Sequence, residues 1–338
     1  MNDEAKTKKP KDPEKRKKRL KKIFYTLAAI LILLILALIY YLLTQSPITR
    51  ILPIGPKNPP RYVRSIYGDF KHLTGIAVNK NGSRFYVVDA TQQKIWAFNR
   101  NGSPAGSFGE PQSPAEKKGF RQPLFVALDP QNNIYVTDRA GFRIGIFSPL
   151  GKFSGYFIPT PGQEFIWSPL AIDFDNNGLM YLTDAKTGEH RVLVFNKKGK
   201  LVRQFGTYGR GRGQFAYPNG ISVDSDGNIY VADTNSARIQ VFNNKGKFLT
   251  LFKPGTGTNI EITHPVGIDA TRPDEILVVE SFGHEVQAYD SEGNFLYKFG
   301  SFGLGDGQFR YPQGIAVAND GRVYIADRGN NRIQIWQY

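Results

Sequence analysis

The chain has 338 residues, of which 41% are hydrophobic, so it is too apolar to be largely disordered and long enough for one large core or two domains. It contains no cysteine, which excludes disulfides, a lipidated cysteine anchor, thiolate metal sites and a thiol nucleophile. The net charge is +15, and the 35 glycines and 21 prolines favour short strands and turns over helices.

The N-terminal region combines a basic segment with an apolar one. Residues 1–22 hold eleven Lys or Arg and four Asp or Glu, and residues 23–43 are uncharged. A helix of that length spans roughly 30 Å, the thickness of a bilayer's hydrocarbon core. The apolar run is longer than a signal-peptide core, and no A-x-A cleavage site follows it. We therefore predict a basic cytoplasmic tail (1–22) and an uncleaved transmembrane signal-anchor helix (23–43).

Basic residues flanking a membrane helix stay on the cytoplasmic side. The sequence therefore predicts a single-pass protein of the cell membrane with its N-terminus in the cytoplasm and the rest of the chain extracytoplasmic. Residues 44–61, which include five prolines, are typical of a stiff, extended linker.

A unit of about 47 residues recurs six times beyond the linker. Its best copies are 217–242 (YPNGISVDSDGNIYVADTNSARIQVF) and 311–336 (YPQGIAVANDGRVYIADRGNNRIQIW). Each copy has an aromatic-rich run that ends in an acid, and successive acids are 46 to 49 residues apart. These repeat acids are Asp89, Asp138, Asp184, Asp233, Glu280 and Asp327. One acid per unit at a regular spacing indicates a structural role rather than a paired acid–base site.

Each unit contains four short alternating runs separated by Asp-Gly, Asn-Gly or Lys-Gly turns, the pattern of antiparallel hairpins. Four-stranded units repeated in tandem build a β-propeller. We predict an all-β fold, a six-bladed propeller over 62–338 preceded by a single transmembrane helix. The predicted blades are about 70–109, 120–158, 166–206, 215–253, 262–300 and 309–338. Because the sixth unit ends after its third strand, residues 62–67 are expected to supply the missing strand.

The repeated pattern, with FGxxGxGxGQF linkers at 205–215 and 299–309, resembles the NHL repeat. The resemblance covers about 62–338 and implies the fold more specifically than the function. NHL propellers include extracytoplasmic sensors, protein- and RNA-binding modules, and the peptidylglycine amidating lyases. In those lyases zinc is held partly by histidines at the x of the Pro-x-Gly-like motif. The equivalent positions here are not usual zinc ligands: Thr74, Leu124, Leu170, Asn219, Val266 and Gln313.

Three functions remain as hypotheses. The first is a membrane-tethered binding, scaffold or sensory module for a protein, peptide or glycan, without a cofactor, a metal or catalytic residues. Its candidate ligand face consists of Thr74, Asn219, Gln313, Arg139 and Arg328. The alternative is a metal-dependent lyase or lactonase of the propeller type. RNA binding is disfavoured, because the predicted topology keeps the propeller away from cytoplasmic RNA and only the tail is strongly basic.

Two further motifs imitate ligand sites. Residues 173–178 (DFDNNG) resemble the start of an EF-hand loop, but no flanking helices are predicted, so a hairpin turn is the better interpretation. Residues 209–215 (GRGRGQF) imitate a phosphate-binding loop. Their outline recurs at 303–309 without the arginines, which indicates a linker between blades.

Overall fold

The computed structural model describes residues 13–44, 58–109, 119–160, 167–252 and 261–338. The chain divides between residues 57 and 58 into two units, which are described separately. Most of the linker predicted at 44–61 lies outside the described residues.

The first unit contains one helix, α1 (Pro13–Thr44). It begins ten residues before the apolar run, because Pro13 is well suited to a first helical position and the Lys, Arg and Glu that follow are good helix formers. Many of its apolar side chains are exposed, including Phe24, Leu27 and Leu33. Over the residues that the structure describes, no helix is both long and apolar enough to cross a membrane. The anchor at 23–43 therefore stays a prediction.

The second unit consists of six four-stranded antiparallel sheets, and this confirms the six-bladed propeller predicted from the repeats. Blade 1 contains β2 (Leu73–Val78), β3 (Arg84–Asp89), β4 (Lys94–Asn99) and β5 (Pro104–Phe108). Blade 2 contains β6 (Pro123–Leu128), β7 (Ile134–Asp138), β8 (Arg143–Phe147) and β9 (Phe153–Tyr156). Blade 3 contains β10 (Pro169–Phe174), β11 (Met180–Lys186), β12 (Glu189–Phe195) and β13 (Leu201–Phe205).

A short parallel pair, β14 (Thr207–Tyr208) with β15 (Gln214–Phe215), lies in the linker to the fourth blade. Blade 4 contains β16 (Pro218–Val223), β17 (Ile229–Asp233), β18 (Arg238–Phe242) and β19 (Phe248–Leu251). Blade 5 contains β20 (Pro265–Arg272), β21 (Glu275–Glu280), β22 (Glu285–Tyr289) and β23 (Phe295–Phe299). Blade 6 contains β24 (Ile315–Val317), β25 (Arg322–Asp327), β26 (Arg332–Gln337) and β1 (Arg61–Tyr67).

The sixth blade is completed from the other end of the domain. Strand β1 pairs antiparallel with β26, from Arg61 opposite Gln337 to Tyr67 opposite Arg332. The pairing covers the edge that β26 would otherwise expose, and exposed edges promote aggregation. The ring is thus closed by hydrogen bonds between the two ends of the propeller sequence.

The strand order gives the disc two distinct faces. Within each blade the inner strand begins, and the second strand ends, on the face that carries the repeat acids, which we call the acid face. The hairpins that join the first strand to the second lie on the opposite side, which we call the turn face. The core lies between neighbouring blades; Phe85 of blade 1, for example, packs on Tyr324 of blade 6 with ring centroids 4.4 Å apart.

Candidate functional site

The repeat acids are completely buried in all six blades. Each accepts backbone N–H groups from the segment that precedes the inner strand; Asp138, for example, accepts from Arg121 and Gln122 at 3.0 and 2.7 Å. A carboxylate that accepts several backbone N–H groups fixes the conformation of the chain around it. The repeat acids therefore position the acid-face loops.

A basic residue stands opposite the acid on the third strand of five blades. In four of them the arginine Nε donates to the acid at 2.8 to 3.0 Å, in the pairs Asp138–Arg143, Asp184–Arg191, Asp233–Arg238 and Asp327–Arg332. In blade 1 the paired residue is Lys94. The guanidinium also binds linker carbonyls; that of Arg332 reaches the carbonyls of Leu304, Gly305 and Gln308. These pairs join the linkers to the blades.

Most of the predicted ligand residues at the starts of the inner strands form hydrogen bonds within the propeller. Thr74 is buried, and its hydroxyl donates to the carbonyl of Leu124 at 2.7 Å. Gln313 donates to the Ser281 hydroxyl at 3.1 Å, and Asn219 is half-buried. Thr74 is thus a contact between blades 1 and 2 rather than a surface residue.

The two predicted arginines lie in acid-face loops of blades 2 and 6. Arg139 donates to the Ser168 hydroxyl at 3.3 Å and stands over the Tyr217 ring, 5.6 Å from its centroid. Arg328 is half-buried, and this burial lowers its pKa. Among the described residues, no hydrogen bond joins any two of the five candidates. The structure distributes them around the acid face instead of gathering them.

A continuous row of aromatic rings lies on the acid face of blades 5 and 6. His264 stacks on Phe282 with ring centroids 4.0 Å apart, and Phe282 meets Tyr311 at 6.2 Å. Tyr311 meets His284 at 4.7 Å, and His284 meets Phe302 at 4.8 Å. Phe282 and Phe302 are 61% and 64% exposed. We call these five residues the acid-face aromatic cluster.

Local backbone geometry holds two members of the cluster in place. His284, the residue before the third strand of blade 5, has a φ of +57°. The residue at the same position has a similar φ in four other blades where it is not glycine, for example Phe142 and Asn331. Tyr311 has a φ of +49°, and among the described residues no other residue at this place before an inner strand has a positive φ. Its N–H donates to His284 Nδ1 at 3.0 Å, whereas the equivalent N–H of blade 4, at Tyr217, donates to the repeat acid Asp233. Tyr311 is therefore turned away from Asp327 and towards His284.

Two of these rings are histidines with perturbed proton affinity. Burial lowers the pKa of His264 and of His284, and the charge of Arg310 also lowers the pKa of His284 against the opposing effect of Asp327. His284 Nδ1 accepts a hydrogen bond, so the neutral ring carries its proton on Nε2. The cluster is therefore an aromatic surface whose two histidines are uncharged at neutral pH.

A cavity of about 360 Å³ occupies the channel at the turn face. It is lined by the second halves of the six inner strands and by the following hairpins. At the fifth position of these inner segments, three consecutive blades carry polar side chains, Asp173, Ser222 and Asp269, whereas the others carry alanine. At this position of the wall, carboxylates are therefore confined to blades 3 and 5.

The two carboxylates at this position bind the neighbouring blade. Asp173 accepts the Val223 N–H at 2.8 Å, and Asp269 accepts the Val317 N–H at the same distance. Burial, with a smaller contribution from the charge of Asp269, raises the pKa of Asp173 to about 7, despite the hydrogen bonds that lower it. Burial also raises the pKa of Asp269. A carboxyl with a pKa near neutrality in a cavity is able to exchange a proton.

Residues 173–178 form the hairpin turn expected from the sequence. Asp175 accepts the N–H groups of Asn177 and Leu179 at 2.9 and 2.8 Å and thereby closes the turn. Asp173, in contrast, lies on the inner strand and lines the channel. The sequence signal that identifies it is its place in the repeat, where three copies carry alanine, one carries serine and only blade 5 also carries an aspartate. Phe282 and His284 are found in the same way, because they replace small or polar residues in most of the sibling loops.

The zinc arrangement implied by the resemblance does not fit the residues present. Of the positions equivalent to its ligands, Leu170 and Val266 are buried apolar side chains. Within the described part of the chain, no group of three or more His, Cys, Asp or Glu residues is placed to hold a metal ion.

Comparison with known proteins agrees with the repeat pattern. The NHL repeat matches residues 120–147, 215–242 and 309–336. Protein brain tumor of Drosophila melanogaster is 28% identical over 116 residues, 34% of this chain and 11% of that protein. Peptidyl-glycine alpha-amidating monooxygenase B of Xenopus laevis is 29% identical over 175 residues, 47% of this chain and 20% of that protein. NHL repeat-containing protein 3 of Mus musculus is 24% identical over 224 residues, 62% of this chain and 50% of that protein. The chain thus spans half or less of the length of these relatives.

Solved structures share the propeller over most of the chain. Virginiamycin B lyase from Staphylococcus aureus superposes with a TM-score of 0.55 at 17% identity, over 81% of this chain and 98% of that one. A gluconolactonase from Xanthomonas campestris superposes with a TM-score of 0.61 at 14% identity, over 85% of this chain and 99% of that one. Identities this low establish the fold alone. The chain thus contains three NHL repeats within a closed six-bladed β-propeller.

Proposed function

We propose that this protein is a binding module, tethered to a membrane by residues 23–43, that captures a protein or peptide on the acid face of its propeller. The observation that carries the proposal is the acid-face aromatic cluster, with Phe282 and Phe302 both more than 60% exposed. Contiguous exposed apolar surface on a folded domain typically marks an interaction site.

The chemistry of the cluster suits a peptide chain. Aromatic side chains dominate the energetics of protein interfaces, because they bury a large area with few rotatable bonds. Arg310 precedes Tyr311 and acts electrostatically on His284, so it supplies positive charge at the rim of the cluster. A segment that presents an apolar or aromatic side chain beside a carboxylate would complement this surface. The predicted residues Gln313 and Arg328 belong to the same blade as Tyr311, whereas Thr74, Asn219 and Arg139 lie farther around the ring.

The test is selection of peptide ligands from a display library against the full-length protein, followed by affinity measurements. Replacing Phe282 or Phe302 by serine should weaken a selected ligand by about thirtyfold, which corresponds to about 2 kcal/mol for a hot-spot residue. Leu150 is a matched control, because it is 82% exposed in a hairpin on the turn face. Leu150→Ser should leave the affinity unchanged. Equal losses from all three variants would contradict the proposal.

The membrane tether rests on the sequence. Its support is the run of 21 uncharged residues at 23–43, which follows a basic segment, and the helical conformation of Pro13–Thr44. Extraction of membranes with alkaline carbonate tests it. The full-length chain should stay with the membranes, and a variant without 23–43 should be released. Protease added outside intact cells should then cleave the propeller and spare the basic tail.

A propeller lyase or lactonase is the second candidate, and Asp173 is the observation that favours it. A carboxyl with a pKa of about 7 in a cavity of about 360 Å³ is a common feature of enzyme sites. A lactone-hydrolysing activity that Asp173→Ala removes and Phe282→Ser leaves intact would favour catalysis over binding. Absence of turnover on a panel of lactones by the metal-supplemented protein would count against it.

A further inference from the structure

Blade 5 breaks the pairing of acid and base that the other blades share. Its repeat acid is Glu280, and the residue opposite on the third strand is Glu285. Side chains directly opposite in an antiparallel pair are close neighbours, so two like charges there repel each other. In blade 4 the same two positions hold Asp233 and Arg238, joined at 2.9 Å.

Glu280 is buried and only half satisfied. Its Oε2 accepts the N–H and hydroxyl of Thr263 and the N–H of His264, at 2.8 to 3.0 Å. Its Oε1 is buried and has no hydrogen-bond partner. In the four arginine blades an oxygen of the acid receives the guanidinium. Glu280 thus keeps a carboxylate oxygen that can accept a hydrogen bond, but the arginine or lysine that faces the acid in the other blades is replaced by Glu285.

The charges around Glu280 do not balance. Glu285 is only 12% exposed, and its Oε2 binds Lys298 Nζ at 2.8 Å. That lysine compensates one of the two carboxylates and leaves the other uncompensated. A buried carboxylate without a compensating charge is strongly unfavourable.

One oxygen of Glu285 and one of Glu261 share a single amide donor, at positions equivalent to the arginine and a linker carbonyl of blade 4. The Gln287 amide donates to Glu285 Oε1 at 2.9 Å and to the carbonyl of Glu261 at 3.1 Å, and so draws these two oxygens together. In blade 4 the equivalent linker carbonyls, those of Arg210, Gly211 and Gln214, bind the guanidinium of Arg238. Carboxylate and carbonyl oxygens are the preferred ligands of hard divalent cations.

We propose that blade 5 binds a divalent cation of the Ca²⁺ class between Glu280 and Glu285, where the other blades use an arginine or a lysine. Glu280 Oε1 and the Glu285 carboxylate supply the charged ligands, the Glu261 carbonyl is a neutral one, and water completes the shell. The ion joins the second and third strands of the blade to the segment at Glu261. This site adjoins the acid-face aromatic cluster, since Glu280 accepts the His264 N–H, but it is a metal site and does not depend on the proposed function.

The test uses the full-length protein, treated with EDTA and then equilibrated with Ca²⁺ or with Mg²⁺. We expect one tightly held Ca²⁺ per chain by elemental analysis and an increase in melting temperature when Ca²⁺ is added. Glu280→Gln should lower the Ca²⁺ affinity at least about tenfold, since even the loss of an outer-shell partner commonly costs that much. The control Glu292→Gln, at an exposed hairpin position, should bind Ca²⁺ like the wild type.

A second variant keeps the test decisive if Glu280→Gln fails to fold. The double substitution Glu280→Asp with Glu285→Arg installs the pair that blade 4 contains. It should lose Ca²⁺ binding and melt in EDTA no lower than the wild type melts with Ca²⁺. The proposal is overturned if the wild type neither binds Ca²⁺ nor responds to it, which would mean that Glu280 is held in its protonated form. It is also overturned if Glu280→Gln binds Ca²⁺ as tightly as the wild type.

Discussion

Tyr62 packs edge-on against Trp336, with ring centroids 5.8 Å apart and an angle of 84° between the ring planes. The two residues are also register partners across β1 and β26. This contact joins the first and last strands of the propeller, so the ring is closed by side-chain packing as well as by the backbone ladder. Trp336 is buried among residues of blades 5 and 6, including Phe299 and Phe309.

Trp336→Ala should therefore destabilise the whole propeller. Removing a buried tryptophan costs about 3–5 kcal/mol, because it leaves a cavity and loses its packing contacts. Chemical unfolding of the full-length protein in detergent measures this cost. Val63→Ala is the control in the same closing strand, since Val63 is exposed at a bulge in the register, and its cost should be within about 0.5 kcal/mol. Similar costs for the two variants would mean that the closure does not depend on this packing.

The acid–arginine pairs should differ in strength according to their burial. The Arg332 side chain is 2% exposed and that of Arg143 is 22% exposed. Arg332→Ala leaves Asp327 uncompensated and removes donors from three linker carbonyls, so we expect a loss of about 3–5 kcal/mol. Arg143→Ala removes one carbonyl contact, at Gly119, and solvent reaches its pair more easily, so its loss should be smaller. The two free energies of unfolding, measured side by side, test this order; the reverse order would contradict it.

The unusual conformation of Tyr311 should depend on an acceptor at residue 284. His284→Leu removes the partner of the Tyr311 N–H and should cost about 0.5–1.5 kcal/mol, the net value of one hydrogen bond. His284→Asn places a side-chain oxygen near the position of Nδ1 and should restore part of that loss. The amide resonance of Tyr311 in NMR spectra of the detergent-solubilised protein reports the bond directly. A Tyr311 resonance that is the same in the leucine variant as in the wild type would show that the bond does not hold this conformation.

Burial gives His284 a defined pH dependence. Its pKa in the folded protein is lower than the ordinary value, so the unfolded chain binds a proton more readily than the folded one. The stability that His284 contributes is therefore complete above its unfolded pKa of about 6.5 and decreases as the pH falls from there towards the folded pKa. As the pH falls below about 6.5, the melting temperature of the wild type should therefore decrease more than that of His284→Asn. Parallel pH profiles for the two proteins would count against the assignment.

The fold is predictable from the sequence because the same pattern of strands and turns occurs six times. Six copies of one pattern make each strand assignment more certain than a single copy would. The last copy lacks a fourth strand, which predicts that 62–67 supplies it. The candidate site is harder to predict, because it arises from departures from the pattern. Thr74 satisfies the same repeat rule as Asn219, yet it is buried against Leu124 because blades 1 and 2 pack closely there. Phe282 and Asp173 become informative only when the structure shows which face each sibling position occupies.

The raised pKa of Asp173 predicts a pH dependence of stability that an exposed carboxylate would not produce. Its pKa of about 7 in the folded protein is above the value near 3.8 that applies to the unfolded chain, so the folded state binds the proton more tightly. The stability contributed by its protonation is complete below about pH 3.8 and is lost as the pH rises towards 7. The free energy of unfolding of the wild type should therefore fall, relative to Asp173→Ala, by up to about 1.4 kcal/mol per pH unit within that window. Alanine occupies the equivalent inner-strand position in blades 1, 2 and 6, so the variant should fold. Glu292→Ala, on an exposed hairpin, is the control and should show the same dependence of unfolding free energy on pH as the wild type. If Asp173→Ala also shows that dependence, the channel carboxyl is ionised throughout this pH range.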